Sequence, residues 1–435
     1  MADRLRGWLR DRPRGRPLMG HGEHGGGRVR PIQEHLDRIL ATVRRPAPME
    51  LALLDAHGLR CAEPVTARSS LPAFDNSSMD GYAVRAADIA EASADHPVSL
   101  PVIGDIAAGS QVAETVGPGH AVRIMTGAPM PAGADAVVPV EWTDGGVARV
   151  DIRRPAPRGS YIRRTGEDIA AGDVAVNAGT VVGPAQVGVL AAVGHERVLA
   201  HPRPRVVVLS TGSELVEVGQ QPGPGQIVDA NGYLLAMSAK DAGAEVYRAG
   251  IVPDDRQRLL ETLEGQLSRA DLLITSGGVS MGAYDVVKEA LAELGTVEFY
   301  GVAMQPGMPQ GFGTLGVEAT PVFCLPGNPV SALVSFEVFV RPAIRYMLGS
   351  RTLHRPTLCA ALSESLTSPA GRRQYRRGQV RRDGDAWTVA PVGGPGSHLL
   401  ASLARSDCLI VIDEEVTEVP AGEQVTVLPL STPGA

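Results

Sequence analysis

Four short apolar runs, Val206 to Leu209, Glu245 to Val252, Leu272 to Thr275 and Val322 to Leu325, are each followed within a few residues by a helix-like repeat. Runs this hydrophobic suit strands buried on both faces, and helices between them imply right-handed crossovers in a largely parallel sheet. The pattern predicts a three-layer, doubly wound α/β unit over residues 201–349. Each run ends in a loop of small residues: Ser-Thr-Gly-Ser-Glu (210–214), Gly-Ile-Val-Pro-Asp-Asp (250–255), Ser-Gly-Gly-Val-Ser (276–280) and Pro-Gly-Asn-Pro (326–329). Ligands of such sheets collect beyond the carboxyl ends of the strands, where helix N-termini offer unpaired N–H groups to anions. The loops therefore predict a phosphate-binding edge carrying Ser210, Thr211, Gly212, Glu214, Asp254, Ser276, Gly277, Gly278, Pro326, Gly327, Asn328 and Pro329. Gly277 and Gly278 lack a Cβ and let backbone approach a phosphate, and Asn328 with Pro329 reads as an N-cap and first-turn proline. A single such loop is more often only a tight turn; several on one edge favour the site. Glu214 could simply offset a helix dipole, and Asp254 and Asp255 form a helix-start signal in which one residue caps and the other stays free for ligand.

Upstream, Ile32, Leu36, Ile39, Leu40 and Val43 repeat at helical spacing, and Met49 to His57 reads as a second helix ended by Gly58. Residues 71–151 turn to short strands with Gly-Asp, Pro-Gly and Asp-Gly-Gly punctuation, a small β-rich module. Residues 152–200 mix strand and turn with a helix from Pro184 to Val193; together with 31–70 they predict one mixed α+β domain into which the β-rich module is inserted. After Gly349 the runs Leu358 to Leu366, Arg376 to Arg382, Ala386 to Val392, Cys408 to Ile412 and Gln424 to Leu428 read as a small β-barrel or sandwich, taken as a C-terminal β-barrel domain over 350–435. Arg372, Arg373, Arg376, Arg377, Arg381 and Arg382 are read as a solvated edge that discourages pairing between chains, in preference to a nucleic-acid patch.

Composition narrows the function classes. With 435 residues the chain is long enough for several domains, and 51 Gly, 34 Pro and 4% aromatics favour strands and turns over a helical bundle. A net charge of −7 argues against general nucleic-acid or acidic-membrane binding. Cys61, Cys324, Cys359 and Cys408 are widely spaced without a Cys-x-x-Cys pair, which fits a reducing cytoplasm, and no apolar run approaches the roughly 20 residues of a membrane span. Residues 1–30, with eight arginines and many glycines, read as a disordered tail lacking the apolar core of a secretory signal; His21 and His24 are solvated rather than metal ligands, and Met19 is an internal start candidate.

Six strings occur in order: Asn-Ser-Ser-Met-Asp-Gly-Tyr-Ala-Val (76–84), Arg-Ile-Met-Thr-Gly-Ala-Pro (123–129), Arg-Arg-Thr-Gly-Glu-Asp (163–168), Ser-Thr-Gly-Ser-Glu-Leu (210–215), Ser-Gly-Gly-Val-Ser-Met-Gly (276–282) and Leu-Pro-Gly-Asn-Pro-Val-Ser-Ala (325–332). Any one is weak. Together, across about residues 31–430, they closely resemble the molybdopterin molybdenumtransferase family and the matching E domain of gephyrin.

The resemblance implies an elongated four-domain homodimer, with an active site between the α/β domain of one subunit and the β-rich insertion of the other. It implies adenylated molybdopterin and molybdate as substrates, Mg²⁺ as cofactor, AMP as a product, and contact with molybdopterin adenylyltransferase and molybdoenzymes. Cleaving a phosphoanhydride needs charge neutralised on phosphoryl oxygens, which Mg²⁺ supplies when one or two carboxylates hold it. Asp285 and Glu214 are the metal candidates, and Lys288, one turn beyond Asp285, is a candidate for anion charge. Asp80 would by spacing be an Asp-Gly turn, and Thr126 a turn residue; the resemblance makes Asp80 catalytic and Thr126 a ligand contact. Arg164, Glu167 and Asp168 would ordinarily be a surface charge cluster; the same match makes Asp168 a site residue, with a structural ion pair the alternative.

One position departs from the family pattern. Where better-known members carry Lys-Pro-Gly-Lys-Pro, this chain has Gln305-Pro306-Gly307-Met308-Pro309. Each lysine near a dianion in a partly dry cleft is worth on the order of 1–3 kcal/mol. Gln305 still donates hydrogen bonds as a substrate contact, whereas Met308 cannot. Either Lys288 with Arg123, Arg163 and Arg164 supplies the charge, or the substrate differs. The competing functions are a non-catalytic pterin carrier of the same fold and a molybdopterin adenylyltransferase.

Overall fold

The computed structural model describes residues 29–110, 114–278 and 284–431, without the side chains of residues 284–286, 288 and 383. The expectations for the arginine-rich tail, its histidines and Met19 lie outside the described residues. The chain divides into two compact units, Pro48–Ala200 and the remainder.

In the larger unit a six-stranded sheet is built from β1 (Arg205–Thr211), β2 (Glu245–Val252), β3 (Leu272–Ser276), β4 (Glu298–Gly301), β5 (Pro309–Leu315) and β6 (Thr320–Leu325), in the order β2-β1-β3-β6-β5-β4. The four strands expected from the apolar runs are mutually parallel, with Val206 facing Leu272 and Ile274 facing Phe323 in register. The sequence reading missed β4 and β5, which add antiparallel beyond β6. Helices α1 (Asn231–Ala242), α2 (Arg256–Leu267), α3 (Tyr284–Leu294) and α4 (Pro329–Ser335) follow β1, β2, β3 and β6. Alternate strand residues enter two separate cores, as a period of two requires. Val206, Val208, Leu272, Ile274 and Phe323 pack with Leu235, Ala239 and Val330; Val207, Leu209, Leu273 and Val322 pack with Leu259, Leu263, Val287 and Leu291. Such two-sided burial, at about 1.5–3 kcal/mol per large apolar side chain, explains the unbroken hydrophobic runs.

Local signals fix the helix ends. The Asp255 carboxylate accepts the Arg258 N–H at 2.8 Å and caps α2. Gly243, at φ 107°, closes α1 in the left-handed conformation that a Cβ would resist. Asn328 occupies the cap position of α4 and Pro329 its first turn, but the Asn328 side chain makes no capping bond. Its Nδ2 donates instead to Ser397 Oγ at 2.9 Å. The predicted cap is thus right in place and wrong in bonding.

The helix Ile32–Thr42 buries Ile32, Leu36 and Ile39 in the first of the two sheet cores, rather than against residues 152–200 as the domain expectation had it. Five C-terminal strands close a barrel, running Arg373–Asp383, Ala386–Pro391, Leu358–Leu362, Gln424–Pro429, Cys408–Ile412 and back to the first. Closure corrects the reading of the arginine-rich strand as an edge, because it pairs on both sides. Arg377 is only 4% exposed and donates to the carbonyls of Val392, Gly394 and Gly396, and Arg373 pairs with Asp413 and Glu414. Arg381 and Arg382 do face solvent.

The unit Pro48–Ala200 contains a five-stranded sheet in the order Ala136–Pro139, Gly81–Val84, Ala121–Ile124, Val98–Ile106, Arg149–Ile152. Flanking segments of the unit pair with one another: Met49–Ala52 lies antiparallel to Arg197–His201, and Val65–Thr66 to Val174–Val176. This overturns the helix expected over Met49 to His57. Cross-strand pairing outweighs a helical repeat too short to nucleate alone. The helix Pro184–Ala192 forms as expected and buries Leu190.

Candidate functional site

The strand-end loops of the larger unit meet at one cleft of about 560 Å³. Thr211, Gly212 and Glu214 follow β1, Asp254 follows β2, Gly277 and Gly278 follow β3, and Pro326, Gly327 and Asn328 follow β6. Gln305 and Met308 form another wall with Met304, and Arg372, Pro395 and Ser397 reach in from the barrel. A second lobe of about 310 Å³ shares Thr211, Glu214, Gly277, Gly327 and Asn328 and adds Ser276, Pro329, Asp229, Asn231 and His398.

Glycine is required where these loops crowd. Gly277 has φ 97°, and a Cβ there would stand 2.4 Å from the Thr211 carbonyl oxygen. A Cβ on Gly278, at φ 69°, would stand 2.6 Å from the Val287 side chain. Beneath them, the Asn231 amide donates to Ser276 Oγ at 2.8 Å and to the Gly327 carbonyl at 2.6 Å, fastening two glycine loops together. Asp229, 1% exposed, accepts from Ser210 Oγ at 2.9 Å and from the Gly232 N–H at 2.9 Å, and Arg248 pairs with it at 3.2 Å. Ser210 is thereby an internal brace and does not line either lobe.

The described charges lining the larger lobe are Glu214, Asp254 and Arg372. Among the described residues, two carboxylates against one guanidinium leave that wall poor in positive charge for an anion-binding cleft. Asp254 reaches it because its neighbour Asp255 takes the capping role; Asp254 Oδ2 accepts the Ser213 N–H at 3.2 Å. Asp285 and Lys288 fall in the first two turns of α3, and their side chains lie outside the described ones.

The remaining candidates belong to the unit Pro48–Ala200. Asp80 Oδ1 accepts both the Thr126 N–H, at 2.7 Å, and the Thr126 hydroxyl, at 2.8 Å. The backbone N–H first, and then the hydroxyl, hold the exposed Asp80 carboxyl below the usual carboxylate range. Asp168 is exposed, and Arg164 of the same charge cluster pairs with Asp75 at 2.6 Å. Arg123 sits 3.7 Å from Asp105. These two arginines, suggested as replacements for the missing lysines, are engaged within their own unit.

Sequence reasoning missed Asp229, Asn231, Arg372, Ser397 and His398. Asp-Ala-Asn ahead of α1 was a readable helix-start signal. Arg372 was hidden among arginines read as solvated, and Ser397 and His398 come from a stretch with no local signature.

A largely parallel sheet whose glycine loops line a cleft completed by a β-barrel defines an α/β protein with a ligand cleft at its strand ends, and the family match below makes it one of molybdopterin-binding type. The chain matches the MoeA N-terminal region (domain I and II) over residues 30–194, a probable molybdopterin binding domain over 207–346 and the MoeA C-terminal region (domain IV) over 360–430. It is 48% identical over 426 residues to molybdopterin molybdenumtransferase 1 of Mycobacterium tuberculosis, covering 93% of this chain and 100% of the relative. It is 49% identical over 409 residues to molybdopterin molybdenumtransferase 2 of the same organism, again covering 93% and 100%. A crystal structure of a molybdopterin biosynthesis protein from a Pyrococcus species superposes with a TM-score of 0.81 at 32% identity, covering 93% of this chain and all of that one. The chain belongs to the molybdopterin molybdenumtransferase family and is a transferase of molybdenum cofactor biosynthesis.

Proposed function

We propose that the chain inserts molybdate into adenylated molybdopterin with Mg²⁺, releasing AMP and molybdenum cofactor. The observation that carries this reading is the convergence of all four strand-end loops on one cleft, with a barrel arginine facing them. Backbone N–H groups of the glycine loops and the Arg372 guanidinium are donors suited to phosphoryl and molybdate oxygens. Glu214, Asp254 and Asn328 orient the ligand's polar groups, and Gln305 donates where a charged side chain is lacking.

Mg²⁺ is commonly held by one or two carboxylates together with substrate phosphates, and so needs no cage of protein ligands. Among the described residues no group of three or more His, Cys, Asp or Glu forms one, whereas the Glu214 carboxylate does line the cleft. Glu214 and Asp285 would hold the ion, which when bound would neutralise charge developing on the phosphoryl oxygens. Lys288 belongs to the same proposal as a source of anion charge, as do Asp80, with Thr126 positioning its carboxylate, and Asp168 as a ligand contact.

Adenylated molybdopterin, molybdate and Mg²⁺ should give molybdate-dependent AMP, and Asp285→Ala should abolish its release while leaving the unfolding transition in place. Undiminished release from that variant would refute the site. Gln305 and Met308 lining the cleft motivate the second reading, a pterin carrier. Tight pterin binding with no AMP release would select it. We further propose a homodimer, tested by sedimentation, a four-domain division at the boundaries read from the sequence except that the helix Ile32–Thr42 goes with the α/β domain, and a cytoplasmic location. Among the described residues no helix is long and apolar enough to cross a membrane.

A further inference from the structure

Gln310 is a polar residue in an apolar place. It stands two residues before Phe312 on β5, so its side chain faces the same core, and it is only 2% exposed. A buried amide is costly unless its hydrogens are used, and here both are. Nε2 donates to the Gly307 carbonyl at 2.6 Å and to Ser335 Oγ at 2.7 Å. The Gly307 carbonyl can only accept, which fixes the nitrogen as the atom beside it. Ser335, fully buried, is the last residue of α4 and anchors the amide from a second element.

The pair holds a loop that walls the larger lobe. Gly307 and Met308 both line that lobe, between Gln305 and Pro309. Gly307 has φ 100°, and a Cβ on it would stand 2.8 Å from Ser335 Oγ, so the backbone itself packs on the end of α4. One residue further on, the Met308 carbonyl accepts the Val302 N–H at 2.8 Å. The Gly307–Met308 peptide is trans, so its N–H points opposite to its carbonyl, away from the buried amide. Among the described residues nothing accepts that N–H. The Met308 side chain cannot donate to an anion, but its backbone can. An N–H held in place beforehand needs no reorganisation when charge arrives, and in a partly dry cleft such fixed dipoles take over work that lysines do elsewhere.

We propose that Gln310, supported by Ser335, is a positioning residue for the oxyanion substrate. By drawing the Gly307 carbonyl into the core it turns the Met308 N–H toward the cleft, as a neutral donor to a tetrahedral dianion where no lysine stands. The inference rests on the molybdate reading above and deepens it.

The test is molybdate-dependent AMP release by the full-length protein, with molybdate and adenylated pterin varied in turn. Gln310→Leu keeps the bulk and removes both bonds. It should raise the KM for molybdate about tenfold and leave kcat and the KM for adenylated pterin within about twofold. Damage to folding alone would lower the apparent kcat by shrinking the active fraction and leave both KM values in place. Ser335→Ala, which takes away one of the two anchors, should raise the molybdate KM about threefold, and it decides the matter if Gln310→Leu does not fold. An unchanged molybdate KM in the folded variants, or an equal rise in both KM values, overturns the positioning role and leaves the molybdate reading standing. A wild-type protein that releases no AMP in response to molybdate overturns both.

Discussion

Asp229 in the larger unit and Asp80 in the unit Pro48–Ala200 are both loop aspartates held by hydrogen bonds, yet they are held in opposite ways. Asp229 is buried, and both its oxygens are engaged by Ser210, Gly232 and Arg248. Asp80 is exposed, and Thr126 engages only its Oδ1, through backbone and hydroxyl together. A buried carboxylate with both oxygens in use acts as a brace, here for the start of α1 and so for Asn231. An exposed one steadied through a single oxygen keeps the other for chemistry. The same contrast separates the glycines. Gly277 is hemmed in by the Thr211 backbone, whereas Gly127, next to Thr126, has φ 81° and nothing within 4 Å of the place a Cβ would take.

Substitutions can break this comparison at successive levels. Asp229→Ala should be the most damaging, costing about 3 kcal/mol or more in urea unfolding, because it strands the Arg248 charge and the Ser210 hydroxyl. A loss below about 1 kcal/mol would mean that Arg248, through its bond to Glu217, does not need Asp229. Gly277→Ala should cost about 2–3 kcal/mol, adding backbone overlap to left-handed strain, and Gly127→Ala only about 1 kcal/mol from the strain alone. Equal costs at the two glycines would remove the distinction. Asp80→Asn should leave the urea unfolding curve nearly unchanged while lowering AMP release about tenfold or more, separating an exposed functional carboxylate from a brace.

The smallest expected effect is on titration. Because the folded Asp80 carboxyl titrates below its unfolded value, its bonds to Thr126 stabilise the fold above about pH 3.9 and are lost as pH falls through the lower, folded value. Thr126→Val removes the hydroxyl and keeps the N–H, so the carboxyl should titrate closer to its ordinary range and the acid-side window should narrow. Carboxyl-carbon NMR shifts would show it, and an unmoved titration would assign the whole effect to the backbone N–H.

Much of the α/β unit was legible because burial on both faces leaves the same mark on β1, β3 and β6, an unbroken apolar run, whereas β2 is a half-exposed edge strand interrupted by Arg248 and Gly250. The pair β4 and β5 carries no such mark: Pro309–Leu315 has glycines at 311 and 313 and is held by cross-strand pairing with its neighbours in the sheet. Met49–Ala52 failed for a related reason, since its partner lies near residue 200 and local periodicity cannot report it. The cleft followed the same rule. Loops directly after legible strands were found, and Arg372, Ser397 and His398 were not, because barrel closure alone turns them toward residues far away in sequence.

One small ladder extends the meaning of that closure. Met304–Gln305 pairs in parallel with Arg373–Gln374, so a stretch just ahead of β5 is also a sixth strand on the barrel. Removing everything after residue 350 would therefore not yield a lighter version of the catalyst. It would strip the hydrogen-bonding partner from the backbone that carries Gln305 and leave that segment as a raw, adhesive rim. Transplanting a barrel from a relative should succeed only where its first strand can still knit to this one.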